Sequence, residues 1–363
     1  MEDMHELTAE QQSALLRKEL EAVYGSSSYK IGRAITWLPR HARSGLAYLR
    51  HNGLRISIKY IITYCKYHKI ANKRYAYWAC LQPKDYPEAL KQWYLETNYT
   101  HQPLNLEHPR TFSEKTQWLK LHGGFAAQYS LVDKYTVRDW VKEKIGEEYL
   151  IPLLGVWDRA EDIDFDALPD KFMLKTNHGG GWNIAVMDKS KLDIPATRKK
   201  LNTWLKINYT YLMGGLDLQY EKIRPRIIAE QFIENDGGDL YDYKFFCFDG
   251  EPKIILHIME RYTDQEERMI FYDADWNLQP FNINVPLEQP DIPRPPQLEE
   301  MLRIARVLSA GFTAVRVDLY ALNDGSIKFG EMTFTTEGGI SRWHPESANE
   351  FMGSLIHLPG VDD

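Results

Sequence analysis

The sequence predicts an α+β protein in which antiparallel strands dominate the last two thirds of the chain. Two observations lead to this fold class. Eight strand candidates follow residue 170, with few helical patterns between them, and Asp-Gly pairs typical of tight hairpins occur at Asp249-Gly250 and Asp324-Gly325. A doubly wound parallel sheet would instead alternate strands with helices. We therefore expect layered helices and antiparallel sheets.

The bulk composition indicates a globular protein of two or three subdomains. The chain has 363 residues, of which 44% are hydrophobic and 26% are charged. No run of 18 apolar residues occurs, so we expect neither a spanning helix nor a signal peptide. The three cysteines are scattered, which fits a reducing compartment. We expect a cytoplasmic protein, with peripheral association at the inner face of the cytoplasmic membrane as an open alternative.

The N-terminal part is strongly basic and predicts helices. Residues 23–84 contain twelve Lys or Arg and no Asp or Glu, although the whole chain carries a net charge of -7. Residues 6–24 read as a polar helix. The segment 46–66 places apolar residues at helical spacing among basic ones, namely Leu54, Ile58, Ile61, Ile62 and Cys65.

Such a basic amphipathic helix has two main interpretations. It can lie on an anionic membrane surface or bind a polysaccharide-assembly protein, or it can pack on the catalytic body with a solvated basic face. A nucleic-acid partner is least favoured, and we expect none. We predict that residues 1–99 form a helical basic region and that residues 100–363 form the catalytic region.

The catalytic region opens with helices and continues with strands. Helices are predicted over 112–121 and 133–145. Strands are predicted over 172–176, 184–187, 226–234, 242–249, 252–260, 268–273, 312–320 and 326–332.

The last hairpin, VRVDLYALNDGSIKFGEMT, carries the most informative pattern. If Asp324-Gly325 is a two-residue turn, Asp318 faces Glu331 and Arg316 faces Thr333 on one side of the sheet. Facing residues have Cβ atoms about 5 Å apart, so the two carboxylates repel each other unless a cation intervenes. A magnesium ion is such a cation. The alternative is that one carboxylate points to solvent or pairs with the arginine, and a change of one residue in the loop would break this register.

Two further segments contain groups suited to phosphate and ribose. Lys175 ends a short apolar strand and is followed by Gly179, Gly180 and Gly181, whose backbone N–H groups can approach an anion closely. The loop lies between strands and is neither a P-loop nor a dinucleotide fingerprint. Asp242 and Lys244 share one face of a later strand. A flexible turn and a solvated Asp-Lys pair are the alternative interpretations.

The order of these motifs resembles the ATP-grasp superfamily. The series is Asp133-Lys134 opening a helix, Lys175 before the glycines, a strand around Glu230, and then the two facing carboxylates. The segments EHPRTFSEKTQWLKLH, LVDKYTVRDWVKEKIG, YDYKFFCFDGEP and KFGEMTFTTEGG more narrowly resemble the TupA-like ATP-grasp family of bacterial polysaccharide and teichuronopeptide biosynthesis. The resemblance covers about residues 100–355.

The resemblance implies an ATP-grasp fold, in which two α+β subdomains clasp ATP, with ATP and Mg²⁺ as cofactors. It divides the catalytic region into a helical part (100–170), a small ATP-binding subdomain (171–235) and a metal-binding subdomain (236–355). The roles that it implies are phosphate contact for Lys134, Lys175 and the loop Gly179, Gly180 and Gly181; adenine contact for Glu230, Gln231 and Ile233; ribose contact for Asp242; catalysis for Arg316 and Lys244; and metal binding for Asp318, Glu331 and Thr333.

One position departs from the superfamily pattern, because Thr333 stands where an Asn is common, so a third metal ligand is in question. Substrate contacts are expected beyond the hairpin, at Glu337, Gly338 and Arg342. Gly339 and His344 are further candidates there.

The reaction implied is ADP-forming ligation of an amine to a carboxylate through an acyl phosphate. The resemblance favours an amino acid or amine as one substrate and a uronic acid or acidic chain as the other. Two alternatives stay open: a glycosyltransferase or phosphotransferase of the same pathway, and a membrane-recruited scaffold with a degenerate ATP site.

Overall fold

The structure, a computed structural model, describes residues 56, 58–71, 74–235, 240–259, 267–285 and 292–361. The chain divides into two compact units, residues 1–66 and residues 67–363. In the first unit, residues 58–66 are helical. The helix predicted over 6–24 and the start of the basic helix predicted over 46–66 lie outside the described residues.

The larger unit begins with short helices and continues with two antiparallel sheets. Its α-helices are α1 (Tyr75–Trp78), α2 (Tyr86–Thr97), α3 (Phe112–His122), α4 (Tyr129–Val132), α5 (Val137–Lys144), α6 (Ile194–Trp204), α7 (Tyr209–Leu212), α8 (Leu298–Ser309) and α9 (Ser347–Ser354). Its strands are β1 (Leu153–Trp157), β2 (Phe172–Thr176), β3 (Asn183–Val186), β4 (Ile227–Gln231), β5 (Tyr241–Phe248), β6 (Glu251–Met259), β7 (Arg268–Asp273), β8 (Asn282–Ile283), β9 (Ala314–Ala321), β10 (Ile327–Thr333) and β11 (Trp343–His344).

Both large sheets have only antiparallel strand pairs among the described strands. The four-stranded sheet has the order β1-β4-β2-β3, and the five-stranded sheet has the order β10-β9-β5-β6-β7. β8 and β11 form a small third sheet. The predicted α+β class with antiparallel sheets is confirmed.

Each large sheet has its own hydrophobic core, because each buries one face against helices. The larger core joins strands of the five-stranded sheet to the apolar stripe of α8, as with Phe245, Ile255 and Ile304. The smaller core packs Leu174 of the four-stranded sheet near Leu201 of α6. The opposite face of the five-stranded sheet is thereby left for polar residues.

Residues 75–97 belong to the larger unit and pack against the segment 204–218. Trp78 and Trp93 share a buried cluster with Leu216, and Tyr75 packs near Trp182 and Ile207. The domain boundary placed at residue 99 stays a prediction.

The two hairpins that contain Asp-Gly pairs have turns of different length. Phe248 pairs with Glu251 around a two-residue turn, and both Asp249 (φ 50°) and Gly250 (φ 80°) have positive φ, as a type I′ turn requires. This turn follows the prediction made for Asp-Gly pairs.

The second hairpin does not have the predicted two-residue turn. The N–H of Leu322 donates to the carbonyl of Ser326 at 2.9 Å, so three residues form the loop, with Gly325 in the left-handed conformation (φ 84°). The register shifts again at a bulge between Phe329 and Glu331. The predicted turn was therefore wrong.

The predicted pairing is nevertheless present, since the two deviations cancel. The longer loop takes one residue from the β9 side, and the bulge puts one extra residue into β10, so the pairing returns to the predicted register. Past the bulge, Asp318 pairs with Glu331 and Arg316 pairs with Thr333. Four side chains therefore lie on adjacent strands at one end of the hairpin, away from the turn.

Candidate active site

A cavity of about 820 Å³ lies between the two large sheets. Its walls come from β2 and β4 of the smaller sheet, from the exposed face of the larger sheet, and from the loops after β2 and β10. The sequence-predicted site residues that line it are Lys134, Lys175, Gly180, Gly181, Glu230, Gln231, Ile233, Lys244, Arg316, Asp318, Glu331, Thr333, Glu337 and Gly338.

Three residues of the predicted site do not line this cavity, and neither do the further candidates Gly339 and His344. The Gly179 carbonyl accepts a hydrogen bond from Lys134 at the margin of the cavity. Asp242 is fully buried beneath Lys244. The Arg342 guanidinium lies over the ring of Tyr99, at 5.4 Å from its centroid. The Arg342 side chain thus contacts Tyr99 and does not line the cavity with Glu337 and Gly338.

The Asp318 carboxylate is the buried centre of the polar face of the larger sheet. It is 1% exposed and accepts hydrogen bonds from Arg316 at 2.7 and 2.8 Å. Lys244, which pairs with it across β5 and β9, donates at 2.6 Å. Lys244 also lies 2.9 Å from Asp242. Two cations therefore balance two buried carboxylates, as burial of charge requires.

The Glu331 carboxylate faces the cavity and is partly exposed. Its oxygens lie 3.3 Å from Lys134 Nζ and 3.6 Å from Arg316. Desolvation alone would raise the pKa of Glu331, but the charges of Lys134, Arg316 and Lys244 outweigh it and lower the pKa to about 2. Glu331 therefore stays ionised and available to a cation.

The Arg316 side chain contacts both carboxylates and also the side chain of Thr333. Burial alone would lower the pKa of Arg316, but the charges of Asp318 and Glu331 hold it above its ordinary value. Its guanidinium donates to the Thr333 hydroxyl at 3.1 Å, and that hydroxyl donates to Glu331 at 3.3 Å. The threonine is thus in contact with the carboxylate; its role as a metal ligand stays a prediction.

Contacts with the residues that follow β2 hold Lys134 in place, and its side chain reaches across the cavity. The Asp133 carboxylate accepts from the backbone of Tyr135 and from the Asn177 side chain, at 2.8 Å each. The Lys134 N–H donates to the Asn177 carbonyl at 3.1 Å. Lys134 Nζ then donates to the carbonyl of Gly179 at 2.9 Å. One lysine therefore connects the glycine loop of the smaller sheet with Glu331 of the larger sheet.

Lys175 and Glu230 lie on neighbouring strands and form an ion pair at the edge of the cavity. Lys175 Nζ lies 2.7 Å from one carboxylate oxygen of Glu230, and Arg138 lies 3.2 Å from the other. Arg138 is four residues after Lys134, so the motif LVDKYTVRDW supplies both cations. Arg138 was not among the predicted site residues. The helix predicted over 133–145 would have placed it one turn after Lys134, but in the structure α5 begins only at Val137.

The side of the cavity next to β4 is mostly apolar. Gln231 ends β4 there, and Phe232 and Ile233 follow it. The same cavity is lined by Leu240 and by side chains of β6 and β7 such as Leu256 and Met269. Apolar walls beside a few polar backbone groups are typical of sites for flat aromatic ligands. The predicted adenine contacts of Gln231 and Ile233 fit this wall and stay predictions.

The loop after β10 closes the other end of the cavity. Glu337, Gly338 and Gly339 all have positive φ, at 47°, 67° and 75°. Gln117 Nε2 donates to the Gly338 carbonyl at 2.9 Å, and Lys120 Nζ donates to it at 2.8 Å. Two buried side chains of α3 therefore hold this loop in a conformation that costs free energy for a non-glycine residue.

Several residues of that end were missed by the sequence analysis. Trp93 and Asp217 line the cavity, and Asp217 lies 3.4 Å from the fully buried Lys120 ammonium. Asn284 donates to the Glu337 carboxylate at 2.9 and 3.0 Å. These contacts join residues far apart in sequence, so no local pattern could have identified them.

The donor set fits a magnesium ion that is bound together with a polyphosphate. Asp318 and Glu331 supply carboxylate oxygens from facing strands, and magnesium characteristically uses one or two carboxylates with phosphates and waters. No group of three or more His, Cys, Asp or Glu side chains in the described part of the chain is arranged to hold a metal ion alone. The cavity lysines and the carboxylate pair thus have the arrangement expected of an ATP-grasp site, and their phosphate and metal roles stay predictions.

The chain belongs to the TupA-like ATP-grasp family. The sequence model of that family, described as TupA-like ATPgrasp, matches residues 114–357. The match covers both large sheets and every predicted site residue, and it confirms the resemblance and the ATP-grasp fold. The basic N-terminal part lies outside it. No curated protein matches the chain.

Solved structures similar to the chain include three ligases. The ATP-grasp ligase PsnB, complexed with minimal precursor, Mg and ADP, shares 13% identity over 57% of this chain and 52% of that chain, with a TM-score of 0.31. D-alanine–D-alanine ligase from Bacillus anthracis complexed with ATP shares 16% identity over 56% and 55%, with a TM-score of 0.34. L-amino acid ligase from Bacillus licheniformis shares 14% identity over 56% and 44%, with a TM-score of 0.34. The chain spans about half the length of these proteins, and the family assignment rests on the sequence match.

Proposed function

We propose that this protein is an ATP- and Mg²⁺-dependent carboxylate–amine ligase that forms ADP through an acyl phosphate. The observation that supports the proposal is the facing pair Asp318 and Glu331, which shares one cavity with four cationic side chains and a glycine loop. Such a combination suits a polyphosphate with a bound metal ion.

The cations would neutralise charge as the phosphoryl group transfers. Lys134 and Lys175 approach from the smaller sheet, and Arg316 and Lys244 approach from the larger one. Mg²⁺, when bound by Asp318 and Glu331, would supply positive charge to the phosphate oxygens. Phosphoryl transfer relies chiefly on such positioning and charge stabilisation, so it requires no protein nucleophile.

The acyl phosphate would form at the end of the cavity beyond the hairpin. There the carboxylate of the substrate takes the phosphoryl group, and the amine then displaces phosphate to give an amide. Glu337 and Gly338 line this end and are the proposed substrate contacts. Following the family resemblance, the proposed substrates are an amino acid or amine and a uronic acid or acidic chain of a bacterial cell-surface polysaccharide.

Thermal unfolding with nucleotides tests the proposal. We expect ATP or ADP with Mg²⁺ to raise the melting temperature, because a ligand that binds the folded state stabilises it by mass action. A shift with a UDP-sugar alone would favour the glycosyltransferase alternative, and no shift with any nucleotide would favour the scaffold. ADP release that requires both a carboxylate and an amine would then distinguish a ligase from a phosphotransferase.

We also propose that the N-terminal helix binds anionic membranes. Three isoleucines of the described helical residues 58–66 are exposed, with Ile58 at 48%, Ile61 at 61% and Ile62 at 62%, and Lys59 and Lys66 lie beside them. Apolar groups among lysines suit an anionic headgroup layer. No helix in the described part is both long and apolar enough to span a bilayer. Co-sedimentation with phosphatidylglycerol vesicles, but not with phosphatidylcholine vesicles, is expected, and equal recovery with both would contradict the proposal.

A further inference from the structure

The glycine loop of the cavity lies in close contact with two aromatic side chains. Trp182 ends the loop, and its ring would lie 2.6 Å from a Cβ atom at Gly179. A Cβ atom at the next residue, Gly180, would lie 2.8 Å from the hydroxyl oxygen of Tyr209. The loop therefore lies against an indole and a phenol, at distances that only glycine allows.

The phenol itself is held in place by its neighbours. The Tyr209 ring contacts Trp182 edge-on, with centroids 5.3 Å apart, and contacts Tyr220 with centroids 4.9 Å apart. Trp182 in turn stacks on Trp204, with an interplanar angle of 8°. Because two rings pack against it, Tyr209 is less free to move aside than an exposed side chain would be.

The hydroxyl of Tyr209 lies directly against the loop backbone, because a Cβ atom at Gly180 would be only 2.8 Å from its oxygen. Burial raises the pKa of this phenol to about 12, and the nearby Gly180 backbone opposes part of that rise. Both Tyr209 and Gly180 line the cavity, so the contact lies at the surface where nucleotide phosphates are proposed to bind. Tyr209 follows Asn208, which caps α7 by accepting from the Thr210 N–H at 3.1 Å.

We infer that Tyr209 is a positioning residue that sets the glycine loop for phosphate binding before nucleotide arrives. This inference rests on the proposed ATP-binding function. Loop N–H groups bind an anion well only if their directions are fixed in advance, because ordering them on binding costs entropy. Tyr209 acts through the backbone of Gly180 and makes no chemical step of its own.

Calorimetric titration of the full chain with ATP and Mg²⁺ tests the inference in the Tyr209→Phe variant. This change removes the hydroxyl and keeps the packed ring. We expect affinity for Mg-ATP to fall roughly fivefold, about the effect of losing one polar contact, while the melting temperature of the nucleotide-free protein stays unchanged. A purely structural role would instead lower that melting temperature. The matched control is Tyr211→Phe, whose hydroxyl donates to Glu221 at 2.6 Å outside the cavity, and it should bind Mg-ATP as the wild type does.

A double-mutant cycle makes the test specific. Gly180→Ala places a methyl group against the Tyr209 oxygen and should weaken Mg-ATP binding by itself. In the double variant the Tyr209 oxygen is absent, so Gly180→Ala should lower Mg-ATP affinity by a smaller factor than it does in the wild-type background. Wild-type affinity in Tyr209→Phe, or independent effects in the double variant, would overturn the inference while leaving the proposed function intact. A wild-type protein that does not bind Mg-ATP would contradict both.

Discussion

Asp318 and Glu331 face each other but have different surroundings. Asp318 is buried and receives hydrogen bonds from Arg316 and Lys244. Glu331 is partly exposed towards the cavity, and the nearby cations lower its pKa to about 2. Substitutions that neutralise these two carboxylates should therefore differ in their effect on the fold, although both remove a proposed metal ligand.

We expect Glu331→Gln to weaken Mg²⁺-dependent ATP binding about tenfold or more, because one of two carboxylate ligands is lost. Its melting temperature without nucleotide should fall, but less than that of Asp318→Asn, because the counter-charge that Lys134 and Arg316 lose is partly exposed to solvent. Calorimetric titration with ATP, with and without Mg²⁺, measures the effect. The hypothesis fails if Glu331→Gln keeps full Mg-ATP affinity.

Asp318→Asn should weaken the same binding and also destabilise the free protein by roughly 2 to 3 kcal/mol. The reason is that Arg316 and Lys244 would lose their buried counter-charge. Chemical denaturation compares the free energies of unfolding of the two variants. Equal stability of Asp318→Asn and Glu331→Gln would contradict the ion-pair network described above.

The metal-site hairpin shows what the sequence could predict at the level of an element. Alternation and the Asp-Gly signal predicted the pairs Asp318–Glu331 and Arg316–Thr333, and the structure has both. The prediction of a two-residue turn was wrong, since an Asp-Gly pair is compatible with a two-residue or a three-residue loop. A bulge at Gly330 compensates for the extra loop residue, and a lone glycine in a strand signals a bulge only weakly.

Gly330→Ala tests the contribution of that bulge. A Cβ atom there would lie 3.0 Å from the Asp318 carbonyl oxygen and 3.2 Å from the Tyr320 ring. The β9 backbone cannot yield freely, because β5 pairs with its other edge. We expect a loss of stability of about 1 to 2 kcal/mol together with weaker Mg-ATP binding, measured by denaturation and by titration.

The control for this element is Gly325→Ala in the loop of the same hairpin. Gly325 has a φ of 84°, with no atom within 4 Å of an added Cβ, so alanine there costs conformational free energy without displacing a neighbour. It should lower stability but leave Mg-ATP affinity unchanged. Unaltered affinity in Gly330→Ala as well would show that the bulge does not position Asp318.

At the scale of the whole molecule, the sequence predicted the motifs but not the contacts between distant segments. The order of the lysines, glycines and carboxylates identified the family, and the fold class followed from hairpin signals. The far end of the cavity depends on Trp93, Lys120 and Asp217, which come together only when α2, α3 and the segment before β4 pack. Such packing is decided by the tertiary structure, so local patterns do not report it.

The buried histidines make the stability of the molecule depend on pH. His257 stacks on Tyr243, and neither ring nitrogen has a hydrogen-bond partner. Burial and then the charge of Arg268 lower the pKa of His257 to about 3, and burial lowers the pKa of His178 to about 4. Both ordinary values are near 6.5, so the unfolded chain binds more protons than the folded protein below that pH. Stability is therefore fully present above about pH 6.5 and decreases as the pH falls towards the folded pKa values.

His257→Phe should remove most of the loss of stability at low pH that His257 causes. Phenylalanine keeps the ring stacked on Tyr243 and has no proton to bind, so the variant should avoid about 2 kcal/mol of the destabilisation between pH 7 and pH 5. Urea denaturation at the two pH values measures the difference against the wild type. The exposed His108 provides the control, since His108→Gln should leave the pH dependence as it is. If His257→Phe and the wild type lose the same stability between these pH values, His257 does not remain neutral inside the folded protein, and the acid sensitivity must come from other groups.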